Sequence, residues 1–364
     1  MSGRNDPGAQ ETLPTAVVIQ PGQARHQTGG HPESHLRLEA VIDHLEGLPS
    51  WSLRTVIEAE PVGTDSVEAC HPESHLETVR RAAESGGGWL DGDTPVSPLS
   101  FETALEACGG AVGAVDSVFE PATGNRGAFA LIRPPGHHAT IDRAMGFCLF
   151  NNAAVAARHA QREHGIERVA IIDWDVHHGN GTQDIFYGDP TVLFISLHQW
   201  PLYPGTGWLD ETGREDGAGS TVNIPIPPGA GDRNWVEAFE RVVEPTVKAF
   251  EPGLVIVSAG QDGHYADGLS NQALTEVGYL TMAHRVGSVA RDLGAGLVAV
   301  HEGGYNPDTL PTLDRLILEG FDAGLNGEAA PGSAGLDPSA GLDAAEWEGR
   351  LEEVTTSQRP FRNL

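Results

Sequence analysis

The sequence predicts a single α/β domain in which a mainly parallel β-sheet lies between helices. Five short apolar runs occur between residues 127 and 304, and uninterrupted runs of this kind are typical of strands that are buried on both faces. Amphipathic stretches such as residues 151–165 separate the runs, and Gly165 is of a type that commonly ends a helix. Strands that alternate with helices favour a parallel sheet. The five runs are GAFALI, VAIIDW, TVLFISL, GLVIVSAG and GLVAV.

The two ends of the chain lack this pattern. Residues 1–14 and residues 326–364 are rich in Gly, Pro, Ala and acidic residues without apolar periodicity. We therefore expect both ends to be flexible and the domain to occupy residues 15–325. One short helix could form within the acidic tail, at residues 343–354.

The overall charge limits the choice of partners. The formal net charge of −29, from 51 acidic and 22 basic residues, argues against binding to nucleic acid or to anionic lipid, but is compatible with a basic partner. Lys248 is the only lysine, and a lysine-poor, acid-rich surface is typical of proteins that stay soluble in concentrated salt. A GC-rich genome would also deplete lysine, and we favour the halophilic interpretation over that alternative.

The cysteines and the apolar segments predict a cytoplasmic location. Cys70, Cys108 and Cys148 form neither a paired framework nor a C-x-x-C motif, which favours a reducing compartment. No segment approaches the roughly 20 apolar residues of a membrane span, and the N-terminal residues contain no apolar signal region. We expect Cys148 to be a buried thiol without a chemical role.

Polar side chains follow each of the five predicted strands. In an open parallel sheet, ligands bind outside the carboxyl ends of the strands, so these segments should converge on one edge. The segments and their most chemically versatile residues are RPPGHHA with His137 and His138, DWDVHHGNGT with Asp173 and Asp175, SLH with Ser196, SAGQDGH with Asp262, and HEGGY with Tyr305.

Asp175 and His177 suggest a metal site. They are two residues apart, so both point to the same side of an extended strand end. Asp262 from another strand end could complete a three-ligand zinc site with an open fourth position, which is typical of a catalytic metal. A His-x-Asp pair on its own is more often a hydrogen-bonded surface element, and the five polar clusters favour the metal. Asp173 and Ser196 could simply join strand ends or hold a monovalent cation.

The neighbouring loops offer groups for proton transfer. His137 and His138 follow two prolines and a glycine, which make a stiff loop, and could act as general base and general acid. A second metal site is the alternative. Tyr305 could donate to a developing oxyanion or be a core tyrosine. Phe147 and Tyr203 suit the walls of a narrow channel, although core packing fits them nearly as well.

One short motif occurs twice. The hexapeptide HPESHL lies at residues 31–36 and 71–76, but its flanks diverge, so a solenoid repeat is not expected. Its first histidines, His31 and His71, each precede a proline and are typical of loops that start helices rather than of metal ligands.

Taken together, the motifs resemble the zinc-dependent histone deacetylase superfamily, in particular its class II-like bacterial and archaeal branch, which is related to acetylpolyamine amidohydrolases. The resemblance runs from about His31 to Leu325. It implies a single-domain arginase–deacetylase fold, with a mainly parallel sheet of about eight strands between helices. The motifs are RPPGHHA, GFCLFNNAAVAA, DWDVHHGNGTQDIF, SLHQWPLYPGTG, SAGQDGH and EGGYN.

The resemblance also implies roles for individual residues. One catalytic zinc ion would be held by Asp175, His177 and Asp262. The catalytic group would be His137, His138, Tyr305, Asp173 and Asn180, with Asp173 bonded to the first histidine and Asn180 to the second. A structural potassium ion would lie beside Asp173, Asp175, His177, Ser196 and Leu197. The substrate channel would be lined by Gly146, Phe147, Tyr203 and Leu269.

The implied function is hydrolysis of N-acetyl amines, above all acetyl-lysine in proteins. Acetylpolyamines and small acetylated metabolites are alternatives, and a binuclear manganese ureohydrolase and a non-catalytic acyl-lysine binding module are remote ones. Gln261, Gly263 and Tyr203 depart from residues that are common in class II relatives, which leaves the substrate open. Leu269 suits an aliphatic lysine stem, whereas Asp267 could select a polyamine ammonium. No direct nucleic-acid or membrane binding is expected, and the oligomeric state is left open.

Overall fold

The computed structural model describes residues 14–330 and 341–361. An eight-stranded sheet, parallel throughout, forms its centre, and a small antiparallel pair, β3 with β4, lies outside it. The predicted α/β class and parallel sheet are confirmed. In chain order the strands are β1 (Ala16–Ile19), β2 (Val56–Glu58), β3 (Gly88–Trp89), β4 (Pro95–Val96), β5 (Gly127–Leu131), β6 (Val169–Asp173), β7 (Val192–Gln199), β8 (Thr221–Ile226), β9 (Leu254–Ala259) and β10 (Gly296–His301).

The helices cover both faces of this sheet. A wide helical turn at Phe239–Val243 joins α7 to α8, so these two form one continuous rod. The helices are α1 (Leu36–Glu46), α2 (Thr64–Glu68), α3 (Glu73–Glu84), α4 (Ser100–Phe119), α5 (Asn152–Glu163), α6 (Asn180–Phe186), α7 (Asp232–Ala238), α8 (Glu244–Phe250), α9 (Glu276–Leu293), α10 (Leu310–Asn326) and α11 (Ala344–Gln358).

Two hydrophobic cores result, one on each face of the sheet. Successive side chains of a strand point to opposite faces, and β6 shows this directly. Ala170 and Ile172 belong to the core under α9 and α10, whereas Val169 and Ile171 belong to the core under α4 and α5. Both faces are therefore dry, which explains the uninterrupted apolar runs in the sequence.

The strand order brings the predicted segments together. It is β2-β1-β5-β10-β9-β6-β7-β8, so the five strands that precede the polar segments are consecutive neighbours. Asp173, the last residue of β6, is in register with Ser196 of β7 and with Ser258 of β9. The carboxyl edge at the centre of the sheet is thus the meeting place of all five segments.

The acidic tail is more ordered than predicted. We expected residues 326–364 to be flexible apart from one short helix that could form at residues 343–354. That helix is α11, and it packs on the core of the domain through Trp347, Leu351 and Val354, which are buried. Asp343 caps its first turn by accepting from the N–H groups of Ala345 and Glu346. The expectations for residues 1–13, 331–340 and 362–364 lie outside the described residues.

Across residues 14–330 and 341–361, no helix is long and apolar enough to cross a membrane.

Candidate metal centre and active site

Asp175, His177 and Asp262 converge as the sequence predicted. Nδ1 of His177 lies 3.2 Å from Oδ1 of Asp175 and 2.9 Å from Oδ2 of Asp262. Both carboxylates are buried, whereas the imidazole keeps some contact with solvent. One donor atom from each residue lies within 4.8 Å of the other two. The three side chains therefore form one compact cluster with one accessible side.

Backbone N–H groups orient the two carboxylates. Oδ2 of Asp175 accepts from the N–H of Gly303 at 2.9 Å, and Oδ1 of Asp262 accepts from the N–H of Val176 at 3.0 Å. The other oxygen of each carboxylate is thereby left facing His177. A Cβ atom at Gly303 would collide with both carboxylates, so this position requires glycine.

The charges of the cluster fit a bound cation. Burial raises the pKa of Asp262, and the Asp175 charge raises it further. Burial lowers the pKa of His177, but hydrogen bonds to Asp175 and Asp262 outweigh it and raise the pKa to about 10. Two buried carboxylates thus compete for one positive partner. Two carboxylate oxygens and one imidazole nitrogen, with one side open, are a donor set that fits a single catalytic zinc ion.

His137 and His138 lie beside this cluster with their rings 4.0 Å apart. Nδ1 of His137 bonds Oδ2 of Asp173 at 3.1 Å, and Nδ1 of His138 bonds Oδ1 of Asn180 at 2.7 Å. Because the amide oxygen of Asn180 can only accept, Nδ1 of His138 carries the hydrogen and its Nε2 has a free lone pair. The structure thus brings together all four residues that the resemblance grouped for proton transfer.

The two histidines have opposite proton affinities. Burial lowers the pKa of His137, but the carboxylates of Asp175 and Asp173 outweigh it and raise the pKa well above its ordinary value. Burial lowers the pKa of His138 well below its ordinary value, and the charges of His137 and His177 act in the same direction. Pairs of titratable groups whose surroundings separate their pKa values are typical of acid–base sites.

Glu302 fixes the histidine loop, a role that the sequence analysis missed. Its Oε2 accepts from the N–H of Gly136 at 2.6 Å and from that of His137 at 3.2 Å. Burial raises its pKa to about 7, although the His137 charge opposes this. The glutamate in HEGGY, directly after an apolar run, was the available signal, because a buried carboxylate needs partners.

Tyr305 lies between an aromatic ring and a cation. Its ring is 5.7 Å from that of Phe147 at an angle of 89°, and the guanidinium of Arg37 lies 4.6 Å from its centroid. Arg37 also donates to the carbonyl oxygens of Gly304 and Glu302, both at 2.5 Å. Arg37 therefore holds the segment that carries the tyrosine as well as its ring.

The aromatic residues predicted for the channel stand on two sides of the site. The Tyr203 ring lies 5.1 Å from that of His138 and 6.3 Å from that of His177. Phe147 instead contacts Tyr305, and both it and Gly146 have positive φ angles, of 71° and 55°. A Cβ atom at Gly146 would collide with His138, which makes this glycine part of the wall.

The potassium site and the channel role of Leu269 remain predictions. Asp173 and Ser196 lie side by side in the sheet, and Ser196 Oγ bonds Nδ1 of His198 at 3.0 Å, but this arrangement by itself does not identify a potassium ion. Leu197 is buried in the core. Leu269 is partly exposed on the segment that follows Asp262.

Further residues that the sequence analysis did not assign to the site lie near Phe147. The His31 ring stands 4.5 Å from that of Phe147 and 6.2 Å from that of the exposed Trp89. Thr94 Oγ1 accepts from the N–H of Phe147 at 3.1 Å, which joins the loop of Asp91 and Asp93 to the channel. Burial and the Asp91 carboxylate raise the pKa of Asp93 to about 6. Asp91, Asp93 and Thr94 come from a polar loop without periodicity, which offered no signal, whereas His31 belongs to the repeated hexapeptide and was interpreted as a residue of a loop that starts a helix.

Comparison with known proteins agrees with this geometry. Residues 31–320 match the family model of the histone deacetylase domain. The chain belongs to the histone deacetylase family. This deacetylase is 42% identical over 316 residues to a probable deacetylase of Archaeoglobus fulgidus, an alignment that covers 85% of this chain and 87% of the relative.

Two further relatives extend the comparison. The deacetylase is 39% identical over 314 residues to the histone deacetylase-like amidohydrolase of Pseudomonas aeruginosa, with 85% of this chain and 80% of the relative covered. Its fold matches the crystal structure of the HDA15 HD domain with a TM-score of 0.84 and 33% identity, over 95% of both chains. The predicted family and fold are confirmed.

Proposed function

We propose that this deacetylase is zinc-dependent and removes acetyl groups from the lysine side chains of proteins. The main support is one observation: the His137–His138 pair lies directly beside the cluster of Asp175, His177 and Asp262, with Nε2 of His137 3.8 Å from Oδ1 of Asp175. A metal-activated hydrolysis needs this juxtaposition of a ligand set and a proton-transfer pair.

The zinc ion, held by Asp175, His177 and Asp262, would supply a Lewis acid for the acetyl carbonyl and the attacking water. His138 is the general base, because its low pKa keeps Nε2 unprotonated and Asn180 fixes the tautomer. His137 is the second proton-transfer group of the pair, and its Nδ1 is oriented by Asp173. After water attacks, the proton on His138 is available for the departing lysine amine.

Tyr305 is the oxyanion donor in this scheme. Burial raises the pKa of its phenol well above its ordinary value, so the hydroxyl keeps its proton at neutral pH. A protonated phenol can donate to the oxygen of the tetrahedral intermediate. Phe147 and Arg37 hold the ring in place before the substrate arrives.

The aromatic walls favour acetyl-lysine as the substrate. Phe147 and Tyr203 offer apolar surface to the four methylene groups of a lysine stem, and the partly exposed Leu269 adds to it. The negative net charge attracts basic protein segments, but it attracts polyamines as well. Acetylpolyamines and small acetylated metabolites therefore remain the second candidate class. Since Cys70, Cys108 and Cys148 are all buried free thiols, we place the activity in the cytoplasm.

The substrate is tested by acetate release from three compounds with zinc-loaded enzyme: an acetyl-lysine peptide, acetylputrescine and acetylspermidine. We expect the highest kcat/KM for the peptide. A preference of tenfold or more for an acetylpolyamine, about 1.4 kcal/mol, would contradict the substrate assignment. The variant His138→Asn should hydrolyse none of them at a comparable rate.

Metal analysis and peptide binding, measured on the same preparation, distinguish the proposed deacetylase from the two remote alternatives, a ureohydrolase and a binding module. A catalytic pair of manganese ions would favour ureohydrolase chemistry. Tight binding of the acetyl-lysine peptide without release of acetate would favour a binding module. Peptide hydrolysis that is lost on chelation and restored by zinc is the result that we expect.

A further inference from the structure

A second group of potential metal ligands lies on the surface formed by α4 and α5. Oδ1 of Asp116 is 2.6 Å from Nε2 of His159 and 2.7 Å from Nε2 of His164. One donor atom of each residue lies within 4.8 Å of the other two. The side chain of Asp116 is 46% exposed, whereas those of His159 and His164 are 18% and 21% exposed. The cluster is therefore shielded by protein but reachable from solvent.

The end of α5 explains why the two imidazoles meet. Positions five residues apart do not share a face of a regular α-helix, so an uninterrupted helix would point His159 and His164 in different directions. The last helical residue is Glu163, His164 follows with φ −106° and ψ −1°, and Gly165 has a positive φ of 66°. Phe119 packs against the His164 ring at 5.3 Å. The helix end thus turns His164 back towards Asp116.

Two interpretations fit three such groups. In the first, both imidazoles merely donate hydrogen bonds to the carboxylate, which is the ordinary state of a surface His–Asp network. In the second, the three atoms are ligands of one ion. Donor atoms around a tetrahedral zinc ion lie about 3.4 Å apart, given metal–ligand bonds of about 2.1 Å. Separating Asp116 Oδ1 from the two Nε2 atoms by about 0.7 to 0.8 Å would reach that spacing, and all three side chains are partly exposed.

We propose that Asp116, His159 and His164 form a second metal site of this protein, which binds zinc or a similar divalent transition ion. Two imidazole nitrogens and one carboxylate oxygen suit Zn²⁺, Co²⁺ or Ni²⁺, whereas Mg²⁺ and Ca²⁺ prefer all-oxygen sites. The exposed side of the cluster leaves the fourth position to water.

This site is separate from the catalytic centre. Helix α5 begins at Asn152, near the histidine loop, and runs back to the opposite edge of the sheet, where β6 starts at Val169. Its 12 residues span about 18 Å at 1.5 Å per residue. None of the three ligands contributes to the catalytic cluster. An ion here would connect the ends of α4 and α5 without taking part in deacetylation.

The proposal is tested by counting ions. The full-length wild-type protein and the double variant His159→Gln/His164→Gln are dialysed against the same micromolar free zinc, and bound zinc is measured by mass spectrometry. We expect one ion more per chain in the wild type than in the double variant. Cobalt should give an additional tetrahedral absorption band that the double variant lacks. Because these readouts do not use activity, they are independent of the proposed function.

Two further variants complete the design. Asp116→Asn keeps the shape of the side chain and should weaken the second ion even if the double variant folds poorly. His35→Gln removes an exposed histidine that pairs with Glu39 at 3.9 Å, and should leave the count unchanged. Equal zinc content in the wild type, the double variant and Asp116→Asn would overturn the proposal and identify the cluster as a hydrogen-bonded network. Deacetylase activity should be the same in all four proteins.

Discussion

Asp267 accepts a hydrogen bond from the backbone N–H of Tyr305 at 2.5 Å. The same oxygen, Oδ2, also accepts from the N–H of Asn306 at 3.1 Å, and the side chain of Asn306 donates to the carbonyl oxygen of Ala266. Burial raises the pKa of Asp267 to about 6, and the nearby Asp262 carboxylate contributes. Asp267 was the candidate selector for polyamines in the sequence, but its carboxylate holds the tyrosine segment. We therefore assign it a positioning role.

The variant Asp267→Asn tests this role. Loss of the anionic acceptor should loosen the Tyr305 segment and lower kcat about tenfold, with little change in KM, since a hydrogen bond to a charged group contributes roughly 1.5–3 kcal/mol. Steady-state kinetics on the acetyl-lysine peptide and on acetylspermidine give the measurement. The ratio of the two kcat/KM values should stay constant, and a marked shift towards the peptide would restore the role of a selector.

Removal of the Tyr305 hydroxyl should lower the rate of the chemical step without affecting zinc binding. Tyr305→Phe should reduce kcat by roughly a hundredfold or more, as expected on removal of one oxyanion donor worth about 3 kcal/mol. Zinc content should not change, because the phenol is not among the three predicted ligands. Tyr265→Phe, at an exposed tyrosine, is the matched control. Near-normal turnover in Tyr305→Phe would remove this residue from the proposed mechanism.

Glu33 should be essential for stability. It is fully buried and receives both Nε and Nη2 of the buried Arg133 at 2.7 Å, while Arg37 lies 3.4 Å away. Glu33→Gln leaves these guanidinium groups without their counter-charge, which typically costs about 3–5 kcal/mol in the free energy of unfolding. Denaturant titration would measure the loss. Glu77→Gln, at an exposed glutamate that pairs with Arg81, should have little effect, and equal losses in the two variants would contradict the prediction.

His71 should make the protein less stable in weak acid. Its Nδ1 donates to the carbonyl oxygen of Ile141 and its Nε2 accepts from the N–H of Asn151, so the ring is held neutral. Burial lowers its pKa from 6.5 to about 4, and the His75 charge adds to this. Below pH 6.5 the unfolded chain therefore binds a proton that the folded chain does not, and stability falls as the pH falls.

Between pH 7 and pH 5 this single group should remove about 2 kcal/mol from the free energy of unfolding. The measurement is denaturant unfolding at both pH values, for the wild type and for His71→Gln. The variant is expected to be less stable at pH 7, but to lose about 2 kcal/mol less on acidification. An identical loss in both proteins would show that His71 is not the group responsible.

The acidic composition gives a prediction about salt. If the net charge of −29 is a halophilic adaptation, transfer to dilute buffer should unfold or inactivate the enzyme, because carboxylate repulsion is no longer screened. Thermal unfolding over a series of NaCl concentrations would show it, with sucrose as an uncharged control. Full stability at low ionic strength would favour the explanation from genome composition.

The central strands were predictable from the sequence, because they are buried on both faces. The runs that became β5, β6, β7, β9 and β10 are uninterrupted because both faces of the sheet are covered. The edge of the sheet was harder. Strand β2 has only three residues, and β8 is interrupted by Asn223 and Pro225, residues that an edge strand tolerates. The expected total of about eight strands came from the resemblance to a family and not from the pattern of apolar runs.

The sequence was sufficient to predict which residues cluster at the candidate site, but not which residues support them. Asp175 and His177 are only two residues apart in the sequence, whereas Arg37 and Gly304, which are joined by a hydrogen bond, are 267 residues apart. No local pattern reports such a contact. The tail is a different case, since Trp347, Leu351 and Val354 are spaced as on one helix face. The sequence analysis accordingly allowed a short helix at residues 343–354, but the surrounding Gly, Ala and acidic residues gave no indication that it packs on the core.

The neighbouring strands β6 and β9 are in register, yet Asp175 and Asp262 are separated by 87 positions along the chain, counted as 262 − 175. The ligand set is therefore absent from any nascent chain that ends before residue 262. Gly303, which orients Asp175, emerges still later. Most of the domain must therefore leave the ribosome before the proposed metal centre can assemble. Products truncated before residue 262 should bind no metal at this centre and should be inactive.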